Sequence, residues 1–270
     1  MAINTVSAPA EDVPYELIYW PGVPGRGEHI RLLFEEAGVP YIDRAQEEGK
    51  GMIFYERNQG DHLNPPPFAP PVLQHGDVIL SQTPNILSYL GPRLNLVPNP
   101  DQDNIGLYHV NQLALTALDG LSNETHDVHH PVSMLLYYED QLGESKRKAQ
   151  DYTANRIPKF LGYFEKVLKG EASGDGPWLY GGRLTYAGLG SFPGKCLIYL
   201  LTTHARCLDG VKFAFPKTLA SLEGSGNYDS VFTLYQAVKQ LPNIKAYLES
   251  KRRLKYSNGI YRHYPELDIV

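Results

Sequence analysis

Two stretches of the 270-residue chain carry residue types at spacings that could do chemistry. The first is "GVPGRGEH", Gly22 to His29, a glycine-rich turn ahead of an amphipathic helix pattern. Free backbone N–H groups and the helix dipole hold phosphate in such a place. The phosphate fingerprints are not met, because Gly25 is followed by Arg26, Gly27 and then bulky residues, and nothing matches G-x-x-x-x-G-K-[ST]. A nucleotide cradle is therefore not expected. The second is "LDGLSNETHDVHHPVSMLLYY", in which His126 and His130 stand at i and i+4 and share a helix face as metal ligands can. Pro131 follows at once, and neither H-E-x-x-H nor a cysteine partner accompanies the pair, so no metal is expected and the histidines read as a polar helix end facing a cleft. Met134, Leu135 and Tyr137 read as ordinary core, with apolar pocket wall as the alternative.

The elements that must position these residues follow from local pattern. "YELIYW", Tyr15 to Trp20, is rich in strand formers, and Ile30, Leu33, Phe34 and Ala37 then recur at helical spacing up to Gly38, a helix terminator. "VPYIDRAQ" reads as a second strand beginning at its proline, which makes a β-α-β unit. "PVLQ" and "DVILS", separated by His75 and Gly76, signal a hairpin, and "TPNILSYLGPRL" predicts a helix with Thr83 as N-cap and an apolar face of Ile86, Leu87 and Leu90. "NLVPNPDQD", Asn95 to Asp103, is polar and proline-containing and marks a linker. Beyond it the spacing is helical throughout, with Pro158 and Pro242 expected to kink or break two helices. The expected organisation is a disordered leader over 1–13, a first domain over 14–95 and an all-helical domain over 103–270.

Bulk properties narrow the classes. Net charge is −5 with Lys and Arg scattered, which argues against nucleic acid and anionic membrane partners. No apolar run reaches the ~18 residues of a membrane span and the N-terminal stretch has no signal-peptide pattern, so a cytoplasmic protein is expected. Cys196 and Cys207 make no disulfide framework and no C-x-x-C occurs.

Residues 15 to 95 resemble the thioredoxin-like N-terminal domain of cytosolic glutathione S-transferases, and the helical remainder resembles their C-terminal domain. The matches are "YW" followed by "GRGEHIRLLFEEAGVPY", then "APPVLQHGDVILSQTPNILSYLG", "LTYAG" and "LPNIKAYLES", in family order. They point to the branch that uses a catalytic tyrosine, or a fungal-type member. The resemblance implies an α/β thioredoxin-like domain followed by an all-α bundle, and an enzyme, a detoxifying transferase that conjugates the glutathione thiolate to small hydrophobic electrophiles. It implies glutathione as co-substrate, no metal, and a homodimer. Tyr19 matches the catalytic tyrosine, which donates a hydrogen bond to the glutathione sulfur. Arg26 matches an arginine that contacts the glycyl carboxylate. Gln82 and Thr83 stand where the family has Gln-Ser, which holds the γ-glutamyl carboxylate, and Pro71 matches the cis-proline whose preceding residue, here Pro70, offers its backbone to the cysteinyl group. On the first long helix of the second domain an acidic or amide residue reaches the glutathione amine of a partner subunit, and Asp119, Asn123 and Asp127 all fall near that position.

Three departures from the family pattern are visible. Pro70 lacks an N–H, which removes one of two main-chain hydrogen bonds to glutathione and leaves the carbonyl. The turn between Tyr19 and Arg26 is about one residue longer than the pattern. The family's Ser/Thr-x-x-Asp capping box reads Thr185 to Gly188 here, followed by helix-hostile "GLGSFPG", so 188–206 is expected to be an insertion that interrupts a core helix, with helix resuming near Cys207. These departures keep alternatives open: a non-catalytic binding or structural protein, or a glutathione-dependent peroxidase or etherase on the same fold.

Overall fold

The computed structural model describes residues 13–44, 46, 59–98, 101–181, 198–257 and 259–269. Strand β1 (Tyr15–Ile18) leads through the glycine turn into α1 (Gly27–Ala37), and β2 (Tyr41–Asp43) returns parallel to β1, with Tyr15 opposite Tyr41. Gly38 ends α1 at φ +67°, a left-handed cap that suits glycine. Strands β3 (Val72–His75) and β4 (Val78–Ser81) form the expected hairpin, although the turn residues are Gly76 and Asp77, because His75 pairs with Val78 inside the ladder. Sheet order is β2-β1-β3-β4. Helix α2 (Thr83–Arg93) follows, and its N-cap is Gln82 rather than the expected Thr83, which is instead the first helical residue.

The helical part runs through α3 (Gly106–Leu115), a π-helical stretch over Thr116–Ser122, and α4 (Asn123–His129) as one nearly continuous rod. Next come α5 (Leu142–Asp151), a second π stretch over Tyr152–Arg156, and α6 (Ile157–Leu168). Pro158 does not break this rod. It sits in the first turn of α6, where a missing N–H costs little, and the widened π turn lies directly ahead of it. Helices α7 (Ile198–Ala214), α8 (Pro216–Gly224), α9 (Asp229–Lys239) and α10 (Pro242–Leu248) complete the bundle, and Pro242 opens its helix as expected of a breaker. The first long rod ends at His130 and Pro131, beyond which Met134, Leu135 and Tyr137 are exposed at 66%, 95% and 78%, so they are surface and not core.

Of the expected insertion, 188–197 and the whole Thr185–Gly188 capping box lie outside the described residues, as do 1–12 of the leader and 99–100 of the linker. The helix that was expected to resume near Cys207 begins at Ile198. Thr202, Thr203, His204, Ala205 and Arg206 are all buried in it, continuous with Cys207, Leu208 and Val211 in the core. Burial pushes the Cys207 thiol up to about 12, which leaves it inert.

Helix α1 joins the two parts. Its apolar face of Ile30, Leu33, Phe34 and Ala37 packs as the spacing predicts, but Glu28, His29, Arg31 and Glu36 are buried as well. They are buried because α7, α10 and the chain beyond α10 close over the second face. Glu28 accepts from Tyr247 Oη at 3.0 Å and pairs with Arg253 at 3.0 Å and Arg31 at 3.3 Å, while Arg31 reaches Asp43 at 2.6 Å. Leu32 packs on Ile244 and Tyr247.

Candidate functional site

The strand register brings the candidate residues to one end of the sheet. Ile18 pairs with Val72 and Val72 with Ser81, so the residues just past those ends, Tyr19, Pro71 and Gln82, emerge side by side. The Pro70–Pro71 peptide is cis, with Pro71 buried and Pro70 half-buried. Tyr19 is 8% exposed, seated against the glycine turn. A Cβ at Gly25 would overlap the Tyr19 hydroxyl, and one at Gly27 would lie 2.8 Å from the ring. Gly25 also holds φ +42°. These glycines make room for a phenol and need no phosphate.

The Tyr19 oxygen accepts the Arg26 backbone N–H at 2.9 Å. That bond leaves the hydroxyl hydrogen to donate elsewhere. Burial raises the phenol's affinity for its proton, and the Arg26 N–H with the charges of Arg26, Arg31 and Arg206 pulls the other way without reversing the shift. Tyr19 is therefore a protonated donor at neutral pH and not a base.

Beside it opens a cleft with about 380 Å³ of empty space, open solvent included, lined by Arg26, Gln82, Thr83, Pro84, Leu118, Asp119, Ser122 and Asn123. Arg26 Nη2 donates to Asn123 Oδ1 at 2.7 Å, so one residue ties Tyr19 through its backbone to α4 through its side chain. Gln82 is held at φ +70°, ψ 117°, a conformation that side chains avoid and that concentrates at working sites. Thr83 is 3% exposed, and its hydroxyl has no protein partner among the described residues. Cation, amide, hydroxyl and helix start thus offer donors to an anion on one wall, and Asp119 offers a carboxylate to a cation on the other. The cleft suits a zwitterion such as the α-amino-acid end of a peptide.

Of the residues singled out from sequence, Arg26, Gln82, Thr83, Asp119 and Asn123 meet in this cleft. Tyr19, Pro70 and Pro71 are not part of its lining and stand at the neighbouring sheet end. Asp127 lies one helical turn beyond Asn123, with its side chain 53% exposed and 3.8 Å from His126 Nδ1. Sequence reasoning missed Leu118 and Ser122, which line the cleft from the π stretch beside Asp119 and Asn123. It also passed over His129, although the i, i+3 spacing from His126 was there to be counted.

A family model described as "Glutathione S-transferase, C-terminal domain" matches residues 126–251. The chain is 25% identical over 244 residues to a glutathione S-transferase of Plasmodium falciparum, covering 89% of this chain and 98% of that protein. It is 25% identical over 246 residues to glutathione S-transferase P 1 of Xenopus laevis, covering 89% and 94%. A solved Pi-class glutathione S-transferase of Onchocerca volvulus superposes with a TM-score of 0.60 at 20% identity, covering 87% of this chain and 92% of that one, which shows the same fold. The small mixed sheet followed by a helical domain is the architecture they share.

Proposed function

We infer that this chain, which belongs to the glutathione S-transferase family, transfers the glutathione thiolate to small hydrophobic electrophiles. The thiol gives its proton to solvent, and the sulfur lone pair forms a bond to the electrophilic carbon, which releases its leaving group or takes the pair into an activated double bond. Tyr19 supplies a hydrogen bond to the sulfur. Its supporting observation is the Arg26 N–H donated to the Tyr19 oxygen, which holds the phenol at the sheet end as a protonated donor.

The magnitudes suit that role. A thiol of ordinary pKa, about 8.5, is only a few per cent ionised at pH 7. A hydrogen bond to a charged acceptor contributes roughly 1.5–3 kcal/mol, and about 1.4 kcal/mol corresponds to one pKa unit. One phenol therefore suffices to make the thiolate a major species. In this reading Arg26, matched by the resemblance to a glycyl-carboxylate arginine but lining the same cleft as Gln82 and Thr83, joins their donors on the γ-glutamyl carboxylate, Asp119 faces its ammonium, and the Pro70 carbonyl accepts from the cysteinyl amide. A homodimer belongs to the same reading, as does the cytoplasm.

The test is glutathione-affinity capture of the purified protein, followed by a conjugation assay on the wild type and on Tyr19→Phe. The reading expects retention of both proteins and a loss of roughly 10- to 100-fold in kcat/KM for the variant, the equivalent of that hydrogen bond. Failure of retention together with absence of activity sinks it. Pro70, which has no N–H to give glutathione, favours a second reading as a ligand-binding member without catalysis. Retention without turnover would select that one.

A further inference from the structure

Beyond the cleft, the end of α4 gathers imidazoles. His126 and His129 stand at i, i+3 and His126 and His130 at i, i+4, and one ring nitrogen from each lies within 4.8 Å of the other two. Ring centroids are 4.8 Å apart for His126 and His129, 4.8 Å for His129 and His130, and 5.2 Å for His126 and His130. His129 is the informative member. It is 2% exposed, and its Nε2 lies 2.9 Å from the Ile260 carbonyl, which can only accept. The ring hydrogen is thereby committed to Nε2. Nδ1 is left with an outward lone pair, buried and with no protein partner among the described residues. A buried acceptor without a partner is costly, and a ligating histidine whose other nitrogen donates to a backbone carbonyl is the usual way a metal site orients its imidazole.

We propose that His126, His129 and His130 form a three-histidine site for a divalent cation of the zinc type, with the fourth coordination position open. Imidazole suits zinc, copper and nickel better than calcium or magnesium. Tetrahedral coordination at about 2.0–2.1 Å places ligand nitrogens about 3.3 Å apart, so the rings close by about 1.5 Å at most. His130 can give, because it stands at the helix end at φ −136°, ψ 55°. Its Nδ1 accepts from Gln141 Nε2 at 3.2 Å, a contact that Nδ1 exchanges for the cation on binding, while the Gln141 amide keeps the Ser133 and Leu136 carbonyls as acceptors. Two arginines, Arg26 and Arg262, bring positive charge toward the cluster, and the Asp127 carboxylate 3.8 Å from His126 Nδ1 opposes them.

The experiment uses the full chain without an affinity tag, freed of metal with a chelator that is then removed. Zn²⁺ is titrated in competition with a chromophoric chelator, and Co²⁺ separately by its visible absorption. One equivalent of Zn²⁺ per chain is expected, with Co²⁺ bands of tetrahedral intensity and a rise in melting temperature on Zn²⁺ addition. His126→Gln and His130→Gln, which leave the buried His129 contact to Ile260 in place, should each weaken binding at least about 10-fold. His62→Gln, at an exposed histidine elsewhere, should leave it unchanged. Absence of stoichiometric binding, or equal binding in the His126 and His130 variants, would overturn the proposal.

Discussion

At the scale of single residues, the opening turn is shaped by the side chain it must accommodate. Tyr19 and Arg26 could be picked out by type and position, but the purpose of Gly25 and Gly27 could not. Their missing Cβ atoms matter only because the Tyr19 ring folds back over residues six and eight positions later. Gly25→Ala adds both an overlap with the Tyr19 hydroxyl and an alanine at φ +42°. It is expected to destabilise by roughly 1–3 kcal/mol and to lower conjugation about as far as Tyr19→Phe does, read from denaturant melts and initial rates. An alanine variant with unchanged rates would show that the Tyr19 position is not set by the turn. Gln82 presents the opposite case. Its φ of +70° stores strain that glycine would relieve, so Gln82→Gly should raise stability by a few tenths to about 1 kcal/mol while weakening retention on immobilised glutathione. A gain in both would remove Gln82 from the site.

At the scale of elements, periodicity foretold α1, the hairpin and the long helical rods, because a burial stripe is written locally. What stayed hidden depends on partners far along the chain. The π stretch at Thr116–Ser122 is set where Gly120 packs against Phe160, whose ring a Cβ there would overlap. The start of α9 is another case. Glu165 on α6 accepts from Ser230 Oγ at 2.8 Å and from the Val231 N–H at 3.1 Å, a cap supplied from 65 residues away. Burial pushes this carboxyl up, and hydrogen bonds from Lys169, Ser230 and Val231 outweigh it, so its pKa in the fold lies below the ordinary value. The unfolded chain then binds a proton first as pH falls. Stability from Glu165 is fully present above the ordinary carboxylate range and is lost as pH drops through the lower folded value. Glu165→Gln should cost about 1 kcal/mol at pH 7 and should flatten this part of the acid dependence, measured by urea melts between pH 7 and pH 3. An unchanged acid limb in the variant would assign the dependence to other carboxylates.

At the scale of the molecule, the fold closes through contacts between the first helix and the last segments of the chain. Glu28, fully buried, joins Arg31, Arg253 and Tyr247 across this junction. Removing it strands buried cations, so Glu28→Ala should cost roughly 3–5 kcal/mol in the denaturation midpoint, where an exposed carboxylate would cost almost nothing. None of this was legible beforehand, since amphipathic spacing assigns α1 one apolar face and says nothing of the 219-residue separation between Glu28 and Tyr247. The same closure sets the cleft, where Arg26 of the first part meets Asn123 of the second. The central claim, that this assembly turns a bound thiol into a thiolate through Tyr19, is tested most directly by titrating the ultraviolet thiolate absorption of bound glutathione in the wild type and in Tyr19→Phe. The account predicts a thiol pKa roughly 1–2 units below the ordinary value of about 8.5 in the wild type and a return toward that value in the variant. The same pKa in both proteins would contradict it.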